Sequence, residues 1–196
     1  VKPNPTWDMA INGVYKPYGE YSTITITTNP YKLAKNNLTI VIDRISYVVD
    51  IVNGVATLTL NNLSAGSHNA TVNYEGDANY SGKTKKFFPN IPKATPTITV
   101  IQNGTDLIAS VTGNVTGNVT FRVNNEFYEI PLNNVTKNAT LVGKSLPGRN
   151  YVIATYDGND NYTTAEIADV FDIGRFSTSI TVNFTNITYG ENEIIN

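Results

Sequence analysis

Apolar and polar residues alternate with a period of two along most of the chain. From Ser22 to Asn29, Ile24 and Ile26 alternate with Thr23, Thr25 and Thr27. Leu38 to Val52 is a longer run with a break expected around Asp43 and Arg44. In Val55–Leu60, Ala56, Leu58 and Leu60 share one face, and Val55, Thr57 and Thr59 share the other. Val119, Phe121 and Val123 likewise fall opposite Thr120 and Arg122. Such alternation turns one face of a strand to a core and the other to water. Turn pairs punctuate the strands at Asn53-Gly54, Ala65-Gly66, Gly76-Asp77, Asn103-Gly104, Pro147-Gly148 and Asp157-Gly158. No segment carries a helical stripe with caps. Short strands with frequent turns predict an all-β fold of antiparallel sandwiches.

The pattern occurs twice. Tyr74–Tyr80 reads YEGDANY and Tyr156–Tyr162 reads YDGNDNY, which sets Gly76 and Gly158 82 residues apart. Pro17–Glu20, PYGE, recurs as TYGE at Thr188–Glu191, 171 residues from Gly19 to Gly190 and so about two periods. A period this long suits one small domain per repeat, not one supersecondary unit. The expected division is residues 1–92, residues 93–174, and the start of a third repeat over 175–196. Because the chain opens on Val1 and its last segment restarts the repeat, a piece cut from a longer array is expected. Between the repeats, Ile91–Thr97 holds Pro92 and Pro96, which predict an extended, semi-rigid linker and little interface between domains.

Composition narrows the function classes. With no cysteine there is neither a disulfide staple nor a thiolate nucleophile or metal ligand. Charged residues are 15% of the chain and the net charge is −2, which argues against nucleic acid and anionic membrane as partners. No apolar run reaches the roughly 20 residues that span a bilayer. His68 is the only histidine and sits in a turn with no acid near it in sequence, so it reads as a solvated turn residue. The acidic pairs Asp157 with Asp160 and Glu191 with Glu193 fall in polar segments that would not shift a pKa. No catalytic residue and no cofactor is expected.

The order of motifs carries a family resemblance. Thr116–Val123 reads TGNVTFRV, Leu146–Gly148 follows as LPG, and Tyr156–Tyr162 closes the repeat, with Val52–Gly82 as the counterpart in the first. This combination resembles the Ig-like repeat domains arrayed on bacterial surface proteins and on the adhesin-like proteins of methanogenic archaea. The first repeat departs at Lys35–Thr39, which replaces the TG-x-VT entry, and the second has Asn159 where Asp is usual. The resemblance implies tandem Ig-like antiparallel β-sandwiches, an extracellular cell-surface location and a structural or adhesive role. It implies neighbouring repeats of the same chain as partners, and a glycan or protein on another cell. The alternative is a carbohydrate-binding module, for which Tyr15, Tyr18 and Tyr21 or a sugar-stacking Trp7 are the candidates; Trp7 also reads as a core or interdomain plug.

The doubled motif has its own physical reading. Gly76 and Gly158 suit the positive φ of a tight loop, and Asp77 and Asn159 can cap it by accepting backbone bonds. Tyr80 and Tyr162 would fold over the sandwich end with the hydroxyl wet, and Tyr74 and Tyr156 lead into the loop. Leu146–Tyr151 resembles a tyrosine corner in which Tyr151 bonds back upstream, with Asn69 at the matching place in the first repeat. Asp157, Asn159 and Asn161 have the spacing of the first ligands of a calcium loop, without its glycine or final glutamate.

Two modifications are candidates. Twelve Asn-x-Ser/Thr sequons occur, among them Asn62, Asn69, Asn103, Asn138 and Asn161; Asn69 and Asn161, beside turns, are the best exposed. They fit either a glycosylated surface or strand threonines beside asparagine turns. An intramolecular isopeptide bond would draw on Lys16, Lys83, Lys93 and Asn90.

Overall fold

A computed structural model of the chain describes residues 6–29, 37–174 and 179–181. Its regular elements are all strands. Most of 175–196, including Glu191, Glu193 and the TYGE recurrence, lies outside the described residues, as does the Lys35–Asn36 part of the departing entry.

The first sandwich contains β1 (Asp8–Val14), β2 (Ser22–Asn29), β3 (Asn37–Ile42), β4 (Ile45–Asp50), β5 (Val55–Leu60), β6 (Gly66–Ser67), β7 (Ala70–Gly76), β8 (Ser81–Phe87) and β9 (Asn90–Ile91). One sheet has the order β1-β2-β5 and the other β4-β3-β7-β8, while β6 and β9 pair separately. The second sandwich contains β10 (Ile98–Asn103), β11 (Asp106–Val111), β12 (Asn118–Val123), β13 (Glu126–Pro131), β14 (Asn138–Leu141), β15 (Gly148–Tyr156) and β16 (Ala165–Ile173). Its sheets repeat the plan as β10-β11-β14 and β13-β12-β15-β16. In a constant-type Ig domain the fourth strand belongs to the sheet of the first. Here β4 and β13 instead pair with β3 and β12, which puts the fourth strand in the other sheet.

The alternation decides what each sheet buries. Ile24 and Ile26 of β2 and Ala56 and Leu58 of β5 meet Leu38, Ile40, Val72 and Tyr74 of the opposite sheet in one core, closed by Trp7 and Met9. The second core brings Leu107, Ala109 and Leu141 against Val119, Phe121, Ala154 and Tyr156. Each large side chain buried this way is worth roughly 1.5–3 kcal/mol. Trp7 is 4% exposed, meets the Tyr74 ring edge-on at 5.0 Å, and donates from Nε1 to the Ser81 carbonyl. It is therefore a core residue and offers no face to a sugar.

The expected break in the long run is a two-residue hairpin turn. Asp43 and Arg44 adopt φ of 46° and 77° between β3 and β4, and Asn124 and Asn125 adopt 48° and 80° between β12 and β13. Positive φ at both positions matches the right-handed twist of the strands it joins.

Candidate functional site at the joint between the sandwiches

The closing loops come first, since they build the joint. Gly76 and Gly158 have φ of 90° and 81°. A Cβ on Gly76 would lie 2.6 Å from Gly82 N, and one on Gly158 would lie 2.9 Å from the Tyr162 carbonyl oxygen, so the loops close too tightly for any side chain. Asp77 Oδ1 accepts from the N–H groups of Asn79 and Tyr80 at 2.7 and 2.9 Å. Asn159 Oδ1 does the same for Asn161 and Tyr162 at 2.9 Å each. The Tyr74 hydroxyl bonds Asp77, whereas the Tyr156 hydroxyl donates to the Thr116 carbonyl at 2.9 Å. Burial pushes the Tyr156 phenol up.

Tyr162 does more than cover the sandwich end. It is 9% exposed, and its hydroxyl is not wet but accepts from Asn114 N–H at 3.0 Å, beside Gly113, which leaves room for the ring. On its other side it meets Tyr18 of the first sandwich edge-on, at 5.5 Å and 82°. Asn161 Oδ1 accepts from Ala65 N–H at 2.9 Å, again across the joint. The linker is strapped to the same loop: Ala94 N–H donates to the Asn161 carbonyl and Thr163 N–H to the Ala94 carbonyl, both at 2.9 Å. Lys93 Nζ reaches the Asn159 carbonyl at 2.6 Å. Behind it, Tyr18 N–H donates to the Pro92 carbonyl at 3.0 Å, and β9 pairs with β6. The expectation of little interface is thus corrected. The linker is extended, but it is bonded on both sides, and the β15–β16 loop latches onto the β1–β2 and β5–β7 connections.

Several candidates change role in this geometry. The amide oxygens of Asn159 and Asn161 accept N–H bonds from the loop's own backbone and from Ala65 across the joint. Among the described residues no group of three His, Cys, Asp or Glu could hold a metal. Asn161 is half-buried in the joint, contrary to its expected exposure as a sequon, while Asn62, Asn69 and Asn103 are exposed and Asn138 is half-buried. Tyr15, Tyr18 and Tyr21 do not form a row: Tyr15 packs on the first core, Tyr18 on the second, and Tyr21 is exposed. Lys83 Nζ bonds the Trp7 carbonyl and Asp8, and Asn90 pairs with Ser67. Lys16 donates its backbone N–H to Ser22 Oγ.

The tyrosine corner is also corrected. Tyr151 is 61% exposed, because β15 turns Asn150, Val152, Ala154 and Tyr156 inward and leaves odd positions on the outer face. The bonding expected of Tyr151 is done by Asn150, which is fully buried. Its Nδ2 donates to the carbonyls of Leu146 and Gly148 at 2.6 and 3.0 Å, and its Oδ1 accepts from Leu146 N–H at 2.9 Å. Asn124 of the hairpin turn adds a fourth bond, from its Nδ2 to Asn150 Oδ1 at 3.0 Å, and its own Oδ1 accepts from Tyr151 N–H.

His68 occupies the same place in the first sandwich and is not solvated. It is 6% exposed; Nε2 donates to the Ser64 carbonyl at 2.8 Å and Nδ1 meets Asp43 Oδ2 at 2.5 Å. Asp43 Oδ1 accepts from Asn69 N–H at 3.0 Å, the counterpart of the Asn124–Tyr151 bond. The His68 bond, then that of Asn69, holds the Asp43 carboxyl below its ordinary value. One polar corner is built as His–Asp in one sandwich and as Asn–Asn in the other. The 82-residue offset that aligns His68 with Asn150 and Ser64 with Leu146 is the sequence signal for it.

A groove of about 630 Å³ crosses the outer face of the β13-β12-β15-β16 sheet, lined among others by Arg122, Asn124, Tyr151, Ile153 and Asp169. Tyr151 is its exposed ring.

No family model and no curated protein matches the chain. Among solved structures, a segment of two fibronectin type III domains from chicken tenascin is similar at a TM-score of 0.52 and 14% identity, covering 84% of this chain and 97% of that one. A 1.5-MDa bacterial ice-binding adhesin aligns at a TM-score of 0.35 and 15% identity, over 91% of this chain and 68% of that one. Fibronectin(III)-like modules of Clostridium thermocellum CbhA align at 0.32 and 10%, over 89% and 100%. At these identities the likeness is one of fold, and the fold is a tandem pair of fibronectin type III or Ig-like β-sandwiches.

Proposed function

We propose that the chain is a structural module of a cell-surface, adhesin-like stalk, in which folded repeats joined end to end project a binding tip. The division of the chain into repeats over 1–92 and 93–174, with a third beginning in 175–196, belongs to this reading. The observation that carries it is the bonded joint. Tyr18, Ala65, Pro92 and Ala94 fix the second sandwich on the first through backbone groups and a ring contact. A joint of that kind holds a chosen angle between modules, as a stalk requires and a flexible linker does not provide. Antibody raised against the chain should label intact source cells. Labelling only after lysis would overturn the reading.

A second reading, glycan binding, is favoured by one observation. Tyr151 presents an exposed ring in a groove with Arg122, Asn124 and Asp169, the mixture of flat apolar face and polar groups that sugars use. A glycan array should then show binding that Tyr151→Ala removes. An array without signal leaves the structural role alone.

A further inference from the structure

We propose that the β7–β8 loop of the first sandwich is a second copy of the latch, and that its occupant is the β1–β2 connection of another Ig-like repeat placed ahead of it. The proposal rests on the stalk reading and names the contact that would continue the array. The occupied copy is on the page: the β15–β16 loop receives the Tyr18 ring and the Ala65 N–H from the sandwich before it.

The β7–β8 loop reproduces the capping bonds of that loop. Gly76 stands for Gly158, each in the left-handed region and each closed against backbone. Asp77 Oδ1 gathers the N–H groups of Asn79 and Tyr80 as Asn159 Oδ1 gathers those of Asn161 and Tyr162. The N–H of the capping residue closes each loop on the following tyrosine's carbonyl, Asp77 to Tyr80 at 2.8 Å and Asn159 to Tyr162 at 3.1 Å. Asn79 therefore takes the place of Asn161, and Tyr80 that of Tyr162. Asn79 is exposed and Tyr80 half-buried, at the end of the sandwich away from the existing joint. A tyrosine ring next to a carboxamide in sequence can receive an aromatic edge and an N–H donor, as Tyr162 and Asn161 do.

The chemistry of the occupant follows. It must offer an aromatic ring on a long connection, as Tyr18 does beside Gly19 at φ 87°, and a backbone N–H like that of Ala65. A repeat shaped like the first sandwich supplies both. A repeat shaped like the second does not, since Asn103 and Asp106 are joined there by the two-residue turn Gly104–Thr105, which has no ring to extend. The latch of the first sandwich is therefore filled where a repeat of its own shape precedes it and stays empty behind a repeat shaped like the second.

The test uses the absence of cysteine from the chain. Residues 1–96 are fused ahead of Trp7–Asn196, giving the first sandwich a predecessor of its own kind. Ala65→Cys in the added copy is paired with Asn79→Cys in the following repeat. The control is Ala65→Cys with Asn161→Cys in the original chain, where the N–H to carboxamide bond brings the residues roughly within the 4.4–6.8 Å Cα span of a disulfide. The expected result is that both pairs oxidise to within about twofold of the same extent. A control that oxidises while the extended pair stays reduced overturns the latch in the first sandwich and leaves the existing joint intact. Failure of both overturns the joint and the stalk reading with it. In the cysteine-free extended chain, the added copy's Ala65 amide should exchange as slowly as Ala65 of the original chain; fast exchange in a folded chain overturns the proposal.

Discussion

The polar corner gives the sharpest test, because the same task is done by different chemistry in the two sandwiches. His68→Ala removes a bond to the Ser64 carbonyl and one to Asp43, and leaves a void where a 6%-exposed ring stood. The neutral bond is worth roughly 0.5–1.5 kcal/mol and the charged one roughly 1.5–3. Asp43 is 47% exposed, so the charged bond is taken at its low end. The void adds about 1 kcal/mol. The expected loss is about 3 kcal/mol, confined to the first sandwich. Trp7 makes that confinement measurable: it is the only tryptophan and sits in the first core, so denaturant unfolding followed by its emission reports that sandwich. The double variant Asp43→Asn, His68→Asn copies Asn124 and Asn150, and should recover at least about half of the loss. A His68→Ala midpoint within about 0.5 kcal/mol of wild type would refute the corner as a structural element. So would a transplant no better than alanine.

Four further outcomes follow from the same geometry. Asn150→Ala should cost the second sandwich about 3 kcal/mol, whereas Tyr151→Ala beside it should stay within about 0.5, both read by far-UV circular dichroism. Gly158→Ala, at φ 81° with its Cβ 2.9 Å from a carbonyl oxygen, should cost about 2–4 kcal/mol. Gly148→Ala, at φ 99° in open space, should cost only the roughly 1–2 kcal/mol of the left-handed backbone. Tyr18→Ala removes a ring pair worth roughly 0.5–1.5 kcal/mol and should broaden the interdomain distance distribution in small-angle scattering; an unchanged profile would count against the latch. Acid should unfold the first sandwich preferentially. Asp8, held low by Lys85, Met9 N–H and Lys83, and Asp43, held low by His68, both have depressed values in the fold. Their contribution is present above the unfolded carboxylate value of about 4 and is lost as pH falls below it, so the Trp7 transition should weaken there.

Much of this architecture can be read from residue order alone, and the errors have physical causes. The inward faces of β2, β5 and β12 follow from period-two alternation, since a strand has only two faces to offer. The same counting corrects the tyrosine corner: Tyr156 must be inside, so Tyr151, five positions earlier on the same strand, must be outside. The corner itself is not written in local sequence. His68 and Asp43 are 25 residues apart and meet only because β3 pairs with both β4 and β7. Local sequence gives a lone histidine in a turn. Only alignment of the chain with itself places it over Asn150, a residue whose burial is meaningful once its four bonds are counted.

The joint lies further from what sequence shows, because its contacts cross the domain boundary. Tyr18 and Tyr162 are joined by no pattern, and Pro92 and Pro96 correctly suggest extension while saying nothing of what the extended backbone bonds to. The difference in length between the β1–β2 and β10–β11 connections carries the information. Beyond Tyr15, which packs on the first core, an isolated sandwich has no use for a Pro17–Tyr21 excursion when a two-residue turn closes the same hairpin elsewhere in the chain. Extra loop costs conformational entropy, and a loop that orders itself must gain contacts to offset it. Here those contacts are Tyr162 and Pro92, both beyond the strands of the first sandwich. The Tyr18 part of the long connection therefore contributes to the joint, while Tyr15 packs on the core it is attached to. Shortening Pro17–Glu20 while keeping Tyr15 should leave the Trp7 transition almost unmoved while releasing the second sandwich, and a first sandwich that failed to fold would show that this part of the excursion served its own core.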